Sequence, residues 1–237
     1  MTRAAPTPAV SICIPAFKAE RFLAETLESV RAQSYADWEL IVTEDGSHDG
    51  TEAIVRAFAA TVPQSVRYTR HDPNRGLPAT RNAGLAEARG AWLALLDSDD
   101  LWRPDHLARC LGVAPASGPV LLFGGSSVFD SATGVEVNRR EPPADRMHDI
   151  SGALYDGRLV IQPAAAVLNR AAFAAVGGFD PRFPICNDFD YWLRCGRAGV
   201  AFVYNGAVTL RYRKHPDALS SRSAALIAER ARVYLAN

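Results

Sequence analysis

A chain of 237 residues, 48% hydrophobic by the broad count, is long enough to bury the core of one large α/β domain. Its formal net charge is zero, which speaks against nucleic acid or a polybasic membrane contact as the dominant role. No apolar run approaches the ~20 residues of a spanning helix, and Met1–Pro6 lacks the apolar stretch of a secretory signal, so a cytoplasmic address is expected.

The first half alternates strands and helices. Val10–Ile14 reads as a strand ended by Pro15. Glu20–Arg31 places Phe22, Leu23, Leu27 and Val30 at helical spacing. Trp38–Val42 is a second strand running into Glu44-Asp45-Gly46-Ser47, and a helix opens at Asp49 or Gly50. Val66–Arg70 is a third strand, Gly76–Arg89 a third helix, and Ala91–Leu96 a fourth, apolar strand. This rhythm implies crossover connections and a largely parallel sheet. The second half is less regular. A hairpin is expected from strands 120–129 and 133–137, followed by a polar, Pro-rich loop at 141–146. Then come a strand over 159–168, helices over 170–176 and 187–199, strands over 201–204 and 208–213, and an amphipathic helix from Ala218 to the end. Cys13, Cys110, Cys186 and Cys195 have no paired metal-ligand spacing and read as reduced structural thiols.

The fourth strand stops at Asp97-Ser98-Asp99-Asp100, three acids within four residues. Carboxylates so close repel one another, and a divalent cation such as Mg²⁺ or Mn²⁺ relieves that repulsion. Asp99 or Asp100 could instead cap the helix that Pro104 opens, but a cap needs one acid. In a parallel sheet the ends of the second and fourth strands share an edge, so Asp45 and the acidic turn can line one pocket.

Four blocks, in order, carry a family resemblance: Val10–Phe17; Glu39–Thr51; Arg81-Asn82-Ala83-Gly84 with Asp97–Trp102; and Gly177-Gly178-Phe179-Asp180 with Asn187–Arg194. The chain resembles the family 2 glycosyltransferases over nearly its whole length. That resemblance implies a GT-A fold: an α/β domain with a mostly parallel central sheet flanked by helices and a smaller mixed C-terminal part. It implies a single catalytic domain over 1–237, with a nucleotide-binding half at about 8–100, an acceptor half at about 101–217 and a closing helix at about 218–237.

The activity so implied is an inverting transfer of a sugar from a nucleoside-diphosphate sugar to a saccharide or lipid-linked acceptor, in surface polysaccharide or glycolipid synthesis, with peripheral membrane association compatible. By resemblance, Pro15, Phe17, Asp45, Arg81, Asp97 and Ser98 form the nucleotide-binding set, Asp99, Asp97 and His215 hold Mn²⁺ or Mg²⁺, and Asp188 is the base. Phe17 can stack on a base or fill the core; Asp45 can bind a base N–H or hold its turn. Arg81 can reach the base or diphosphate, or be an exposed helix cation. His215 can reach the metal or be a surface histidine after a strand, and Arg211, Arg213 and Lys214 can hold diphosphate or face solvent. Asn187 as N-cap would place Asp188 in the first helical turn, where the dipole favours its ionised form.

Three departures stand out: Glu44 where a first Asp is usual, Lys18 where Asn is common, and Asn187 where Glu is usual. Pro15-Ala16-Phe17-Lys18 lacks the Gly-rich loop of a sugar nucleotidyltransferase and the G-x-G-x-x-G of a dinucleotide oxidoreductase. The remaining alternative is a non-catalytic nucleotide-sugar-binding protein of the same fold, which Asn187 motivates.

Overall fold

The computed structural model describes residues 7–219 and 223–237. Its first half is β1 (Val10–Ala16), α1 (Leu23–Arg31), β2 (Trp38–Glu44), α2 (Thr51–Ala59), β3 (Val66–Arg70), α3 (Leu77–Glu87) and β4 (Trp92–Leu95). The second half comprises β5 (Leu101–Trp102), α4 (His106–Gly112), β6 (Val120–Asp130), β7 (Glu136–Arg140), α5 (Ile150–Tyr155), β8 (Ala166–Asn169), α6 (Arg170–Val176), α7 (Asn187–Arg197), β9 (Ala201–Lys214) and α8 (Ser223–Ala236).

The strands join one sheet in the order β3-β2-β1-β4-β8-β6-β9-β5, with β7 paired to β6. The β3-β2-β1-β4 pairings are all parallel. Beyond β4 the sheet is mixed: β8 is antiparallel to both its neighbours, whereas β6 and β9 run parallel. The chain winds from β1 outward to β3 and then returns to the other side of β1. Such a reversal opens a crevice at the strands' carboxyl ends.

Side-chain alternation divides the core. Ile12, Ile14, Leu40, Val42, Ala94 and Leu96 pack with Leu23, Leu27 and Val55 of α1 and α2. Cys13, Ile41, Leu93 and Leu95 face the other layer, with Leu85 of α3, Ala172 of α6 and Tyr191 and Trp192 of α7. All four cysteines are buried and unbridged, and burial pushes the Cys13 thiol up to about 12. A thiol so placed is packing material, not a nucleophile.

Gly90 permits the closest backbone approach at the start of β4. A Cβ there would lie 2.6 Å from the Ser11 amide nitrogen and 2.8 Å from the Val10 carbonyl carbon. Backbone cannot yield as a side chain can, so Gly90→Ala should cost about 1–3 kcal/mol in urea unfolding.

The structure corrects several sequence-based expectations. The second hairpin strand begins at Glu136, not Thr133, because the Asp130 carboxylate accepts the N–H groups of Ala132 (2.9 Å) and Thr133 (3.0 Å) and holds the connection as a wider turn. Of the expected strand over 159–168 only Ala166–Leu168 pairs, as part of β8, which runs on to Asn169; Pro163, lacking an N–H, opens a 3₁₀ turn over Pro163–Ala165. The two strands expected at 201–204 and 208–213 are one strand, β9, with a register shift where Gly206 adopts φ 76°. The tail helix is observed over 223–236; Ser220–Arg222 of the expected span lie outside the described residues.

Candidate active site

At the carboxyl ends of β1, β2 and β4 lies a cleft of about 1270 Å³, walled on its far side by the start of α7, the end of β9 and α8. Pro15, Phe17, Asp45, Arg81, Asp97, Ser98, Asp99, Asp188 and His215 all line it. A second groove of about 700 Å³, bordered by Ile54, Phe58 and Trp102, contains none of them.

Phe17 follows β1 and is 49% exposed, so of its two readings core packing is removed. The Lys18 ammonium sits 5.4 Å from its ring centre. Lys18 itself has φ 51°, a left-handed conformation that Asn tolerates better than Lys does. This backbone requirement explains a preference for Asn at such a position.

Asp45 is 3% exposed and holds the loop between β3 and α3. Its Oδ1 accepts the Arg75 N–H and its Oδ2 the Gly76 N–H, both at 2.8 Å, with His71 Nδ1 at 2.9 Å from Oδ1. Burial alone would raise this carboxyl's pKa, but these hydrogen bonds outweigh it and hold the group below the usual carboxylate range. The turn-holding reading of Asp45 is therefore observed, and Oδ2 keeps acceptor capacity toward the cleft. A carboxyl whose folded pKa is depressed contributes stability that is complete above its unfolded pKa of about 3.9 and lost as pH falls through the lower folded value. Asp45→Asn should accordingly flatten the stability–pH curve below about pH 4, and Asp45→Ala should cost about 2–4 kcal/mol in urea unfolding.

The acidic turn after β4 is braced by Thr26 and Arg213. Thr26 Oγ1 donates to the Ser98 carbonyl at 3.0 Å. Arg213 donates through Nε to the Asp99 carbonyl (2.7 Å) and through its own backbone N–H to Asp100 Oδ1 (2.8 Å), while its guanidinium reaches Glu25 at 2.8 Å. Arg213 is thus a buried brace, and Arg211 borders the second groove, so the diphosphate-holding reading of these two is not what the structure places. Nor does Asp99 or Asp100 cap a helix. The residue ahead of α4 is Asp105, and Asp100 is fully buried. Burial first, then the neighbouring Asp99 and Asp97 charges, raise the Asp100 carboxyl well above its ordinary value.

Asp99 and His215 meet across the cleft, with Oδ2 and Nε2 2.9 Å apart, and the His215 ring packs 5.0 Å from that of Phe22. Of the two readings of His215, the solvent-facing one is removed. Asp97 is engaged by Arg81 at 2.5 Å, which leaves Asp99 and His215 as the paired ligand candidates. A carboxylate oxygen with an imidazole suits Mn²⁺, and the carboxylate suits Mg²⁺. Among the described residues no three His, Cys, Asp or Glu side chains gather so as to hold an ion alone. An ion here would complete its shell from phosphate oxygens and water, as Mg²⁺ commonly does.

Asp188 stands opposite this turn, in the first turn of α7. Cys186, not Asn187, occupies the N-cap, and Cys186 makes no side-chain capping bond. The Asn187 side chain is used elsewhere: its Oδ1 accepts from Arg81, and its Nδ2 donates to the Pro184 carbonyl at 3.2 Å. Arg81 is only 4% exposed and joins Asp97 to Asn187, so it is not an exposed helix cation. The pKa expectation for Asp188 is also corrected. Burial raises it, outweighing the lowering by Arg81 and by the Phe189 N–H that its carboxylate accepts at 2.8 Å. A helix terminus contributes about 0.3–1 kcal/mol when exposed, too little to offset desolvation at the cleft floor.

The other motif residues hold this frame. Asn82 exchanges two hydrogen bonds with the Phe179 backbone, at 2.7 and 2.8 Å, and Arg194 donates to the carbonyls of Val176 and Gly178 at 3.0 and 2.9 Å. Sequence reasoning missed Glu229 of α8, whose carboxylate touches the backbone just before Asp188. No local signal marks a glutamate whose partners lie more than forty residues upstream.

Comparisons with known proteins agree with this architecture. The model of the family described as "Glycosyl transferase family 2" matches residues 11–177. The succinoglycan biosynthesis protein ExoO of Rhizobium meliloti (strain 1021) is 40% identical over 111 residues, 47% of this chain and 31% of ExoO. An Escherichia coli protein, the UDP-Glc:alpha-D-GlcNAc-diphosphoundecaprenol beta-1,3-glucosyltransferase WfgD, is 30% identical over 122 residues, 52% of this chain and 47% of WfgD. The chain thus spans less than half the length of either. Among solved structures, the mannosyltransferase PcManGT from Pyrobaculum calidifontis, in complex with GDP-Man and Mn²⁺, superposes with a TM-score of 0.71 at 20% identity, covering 96% of this chain and 64% of PcManGT.

Proposed function

Because the chain belongs to glycosyl transferase family 2 and has the GT-A fold, we propose that it transfers a sugar, with inversion, from a nucleoside-diphosphate sugar to an acceptor hydroxyl. The observation that carries this reading is the single cleft in which the Asp99–His215 pair faces Asp188. Phe17 would offer a stacking face for the base, and the loop held by Asp45 lines the same cleft through Asn74 and Gly76. Asp99 and His215 would hold a divalent cation, which when bound neutralises charge developing on the departing diphosphate.

In the transfer, the acceptor oxygen bonds to the anomeric carbon as the bond from that carbon to the diphosphate breaks, and the electron pair leaves with the diphosphate. Asp188 takes the hydroxyl proton on a carboxylate oxygen. Its raised pKa makes it a stronger base than an exposed Asp, and proton transfer comes late, as the hydroxyl acidifies. The acceptor class we propose is a saccharide or a lipid-linked saccharide, in polysaccharide or glycolipid assembly. No helix among the described residues is long and apolar enough to cross a membrane.

The alternative of a sugar-nucleotide binder without catalysis rested on Asn187. Its side chain holds Arg81 and leaves Asp188 in the cleft, which favours the enzyme. A thermal-shift screen of UDP, GDP and dTDP, with and without Mn²⁺, tests the donor site. One diphosphate should raise Tm, by more with the metal; no shift with any of them at millimolar concentration overturns the reading.

A further inference from the structure

We propose that Glu229, on the C-terminal helix, is a positioning residue for Asp188; the inference rests on the proposed role of Asp188 as base. Helix α7 begins without a side-chain cap of its own, since Cys186 at the N-cap makes no such bond. The first N–H groups of a helix need partners from elsewhere. Here the partner for the entering turn comes from α8. Glu229 Oε1 accepts the backbone N–H groups of both Ile185 and Cys186, each at 2.7 Å. The glutamate is 6% exposed, so these two bonds form out of reach of solvent. An anionic acceptor just ahead of a helix N-terminus also suits the local dipole.

The contact is built into the packing. Val233, one helical turn beyond Glu229, is fully buried with Phe183, Cys186 and Leu193. Tyr234 meets Phe189 edge-on at 5.1 Å between ring centres, and the Arg230 guanidinium lies 4.5 Å over the Phe189 ring. The Cys186 thiol donates to the Leu226 carbonyl at 3.6 Å. Segment 185–187 is therefore gripped from two sides: by Glu229 of α8, and by Arg81 through Asn187. Asp188 is the next residue. Its carboxylate can face the acceptor only as accurately as that segment is held. Asp188 Oδ1 is occupied by the Phe189 N–H, so a small rotation of the first turn redirects the remaining acceptor capacity.

The test compares Glu229→Ala, Glu229→Asp and Glu229→Gln in the full chain. Displacement of a base by about 1 Å costs up to about 10²-fold in rate. Glu229→Ala and the one-methylene-shorter Glu229→Asp should lower kcat by about 10- to 100-fold, with Kd for the nucleoside diphosphate changed by less than about twofold. Glu229→Gln keeps a carbonyl oxygen at the same reach and should restore kcat to within about threefold of wild type. Hydrogen exchange at the amides of residues 185–189 should rise in Glu229→Ala and stay unchanged at 97–99. That readout holds whether or not turnover is found, so it fails separately from the proposed function. Wild-type kcat in Glu229→Ala, a parallel loss of kcat and nucleotide affinity, no rescue by Gln, or unaltered exchange at 185–189 would each overturn the proposal.

Discussion

Replacing Asp188 by Asn should lower kcat by about 10²- to 10⁴-fold while nucleoside-diphosphate affinity stays within about twofold of wild type. The change preserves volume and the acceptor oxygen for the Phe189 N–H, but removes the carboxylate oxygen that would take the acceptor's proton. In the proposed reaction the ionised carboxylate takes the proton, so the rate should rise with pH through the pKa of Asp188. Burial raises that pKa, and the acid limb of kcat should therefore lie above the ordinary aspartate range of about 3.9. Arg81 opposes the rise and Asp97 adds to it. Arg81→Met should shift the acid limb to higher pH, read directly from kcat measured across pH. A limb that does not move would show that the arginine's charge is not felt at Asp188.

Asp99→Ala should abolish the Mn²⁺-dependent part of nucleotide binding and lower kcat/KM by about 10²-fold or more. Asp99 is the acid that faces His215, whereas Asp97 is held by Arg81 and Asp100 is buried against the Arg213 backbone. The three neighbouring acids thus have three different sets of partners. Calorimetric titration of the nucleoside diphosphate, with and without the metal, separates them. Asp99→Ala should bind with the same affinity in both conditions, and a variant whose affinity still rises with Mn²⁺ would remove Asp99 from the metal site.

Much of this was legible from residue patterns because the relevant physics is local. The third strand, Val66–Arg70, has the expected bounds, with Val66, Tyr68 and Thr69 supplying strand-favouring side chains, and β1 and β2 extend the expected strands by only two residues each. The crevice followed from parallel order alone, since Asp45 and Asp97 both come just after strands. What stayed hidden was set by tertiary partners. The same Asp100 that could serve as a helix cap is instead bound by Arg213, more than a hundred residues away. Asn187 reads as a cap until Arg81 is placed beside it, and a first-turn aspartate reads as easily ionised until the cleft floor closes around it. Pro163 carried a local signal against a long strand, and the apolar run around it masked that signal.

The cleft as a whole is best tested by following the anomeric proton of an α-linked donor by NMR, in the presence of Mn²⁺ and acceptor, for wild type and Asp188→Asn. The proposed inverting displacement should give a β-configured product from wild type, and from Asp188→Asn the same product at least about 10²-fold more slowly even though that variant still binds the nucleotide. Retention of configuration, or undiminished product from Asp188→Asn, would contradict it.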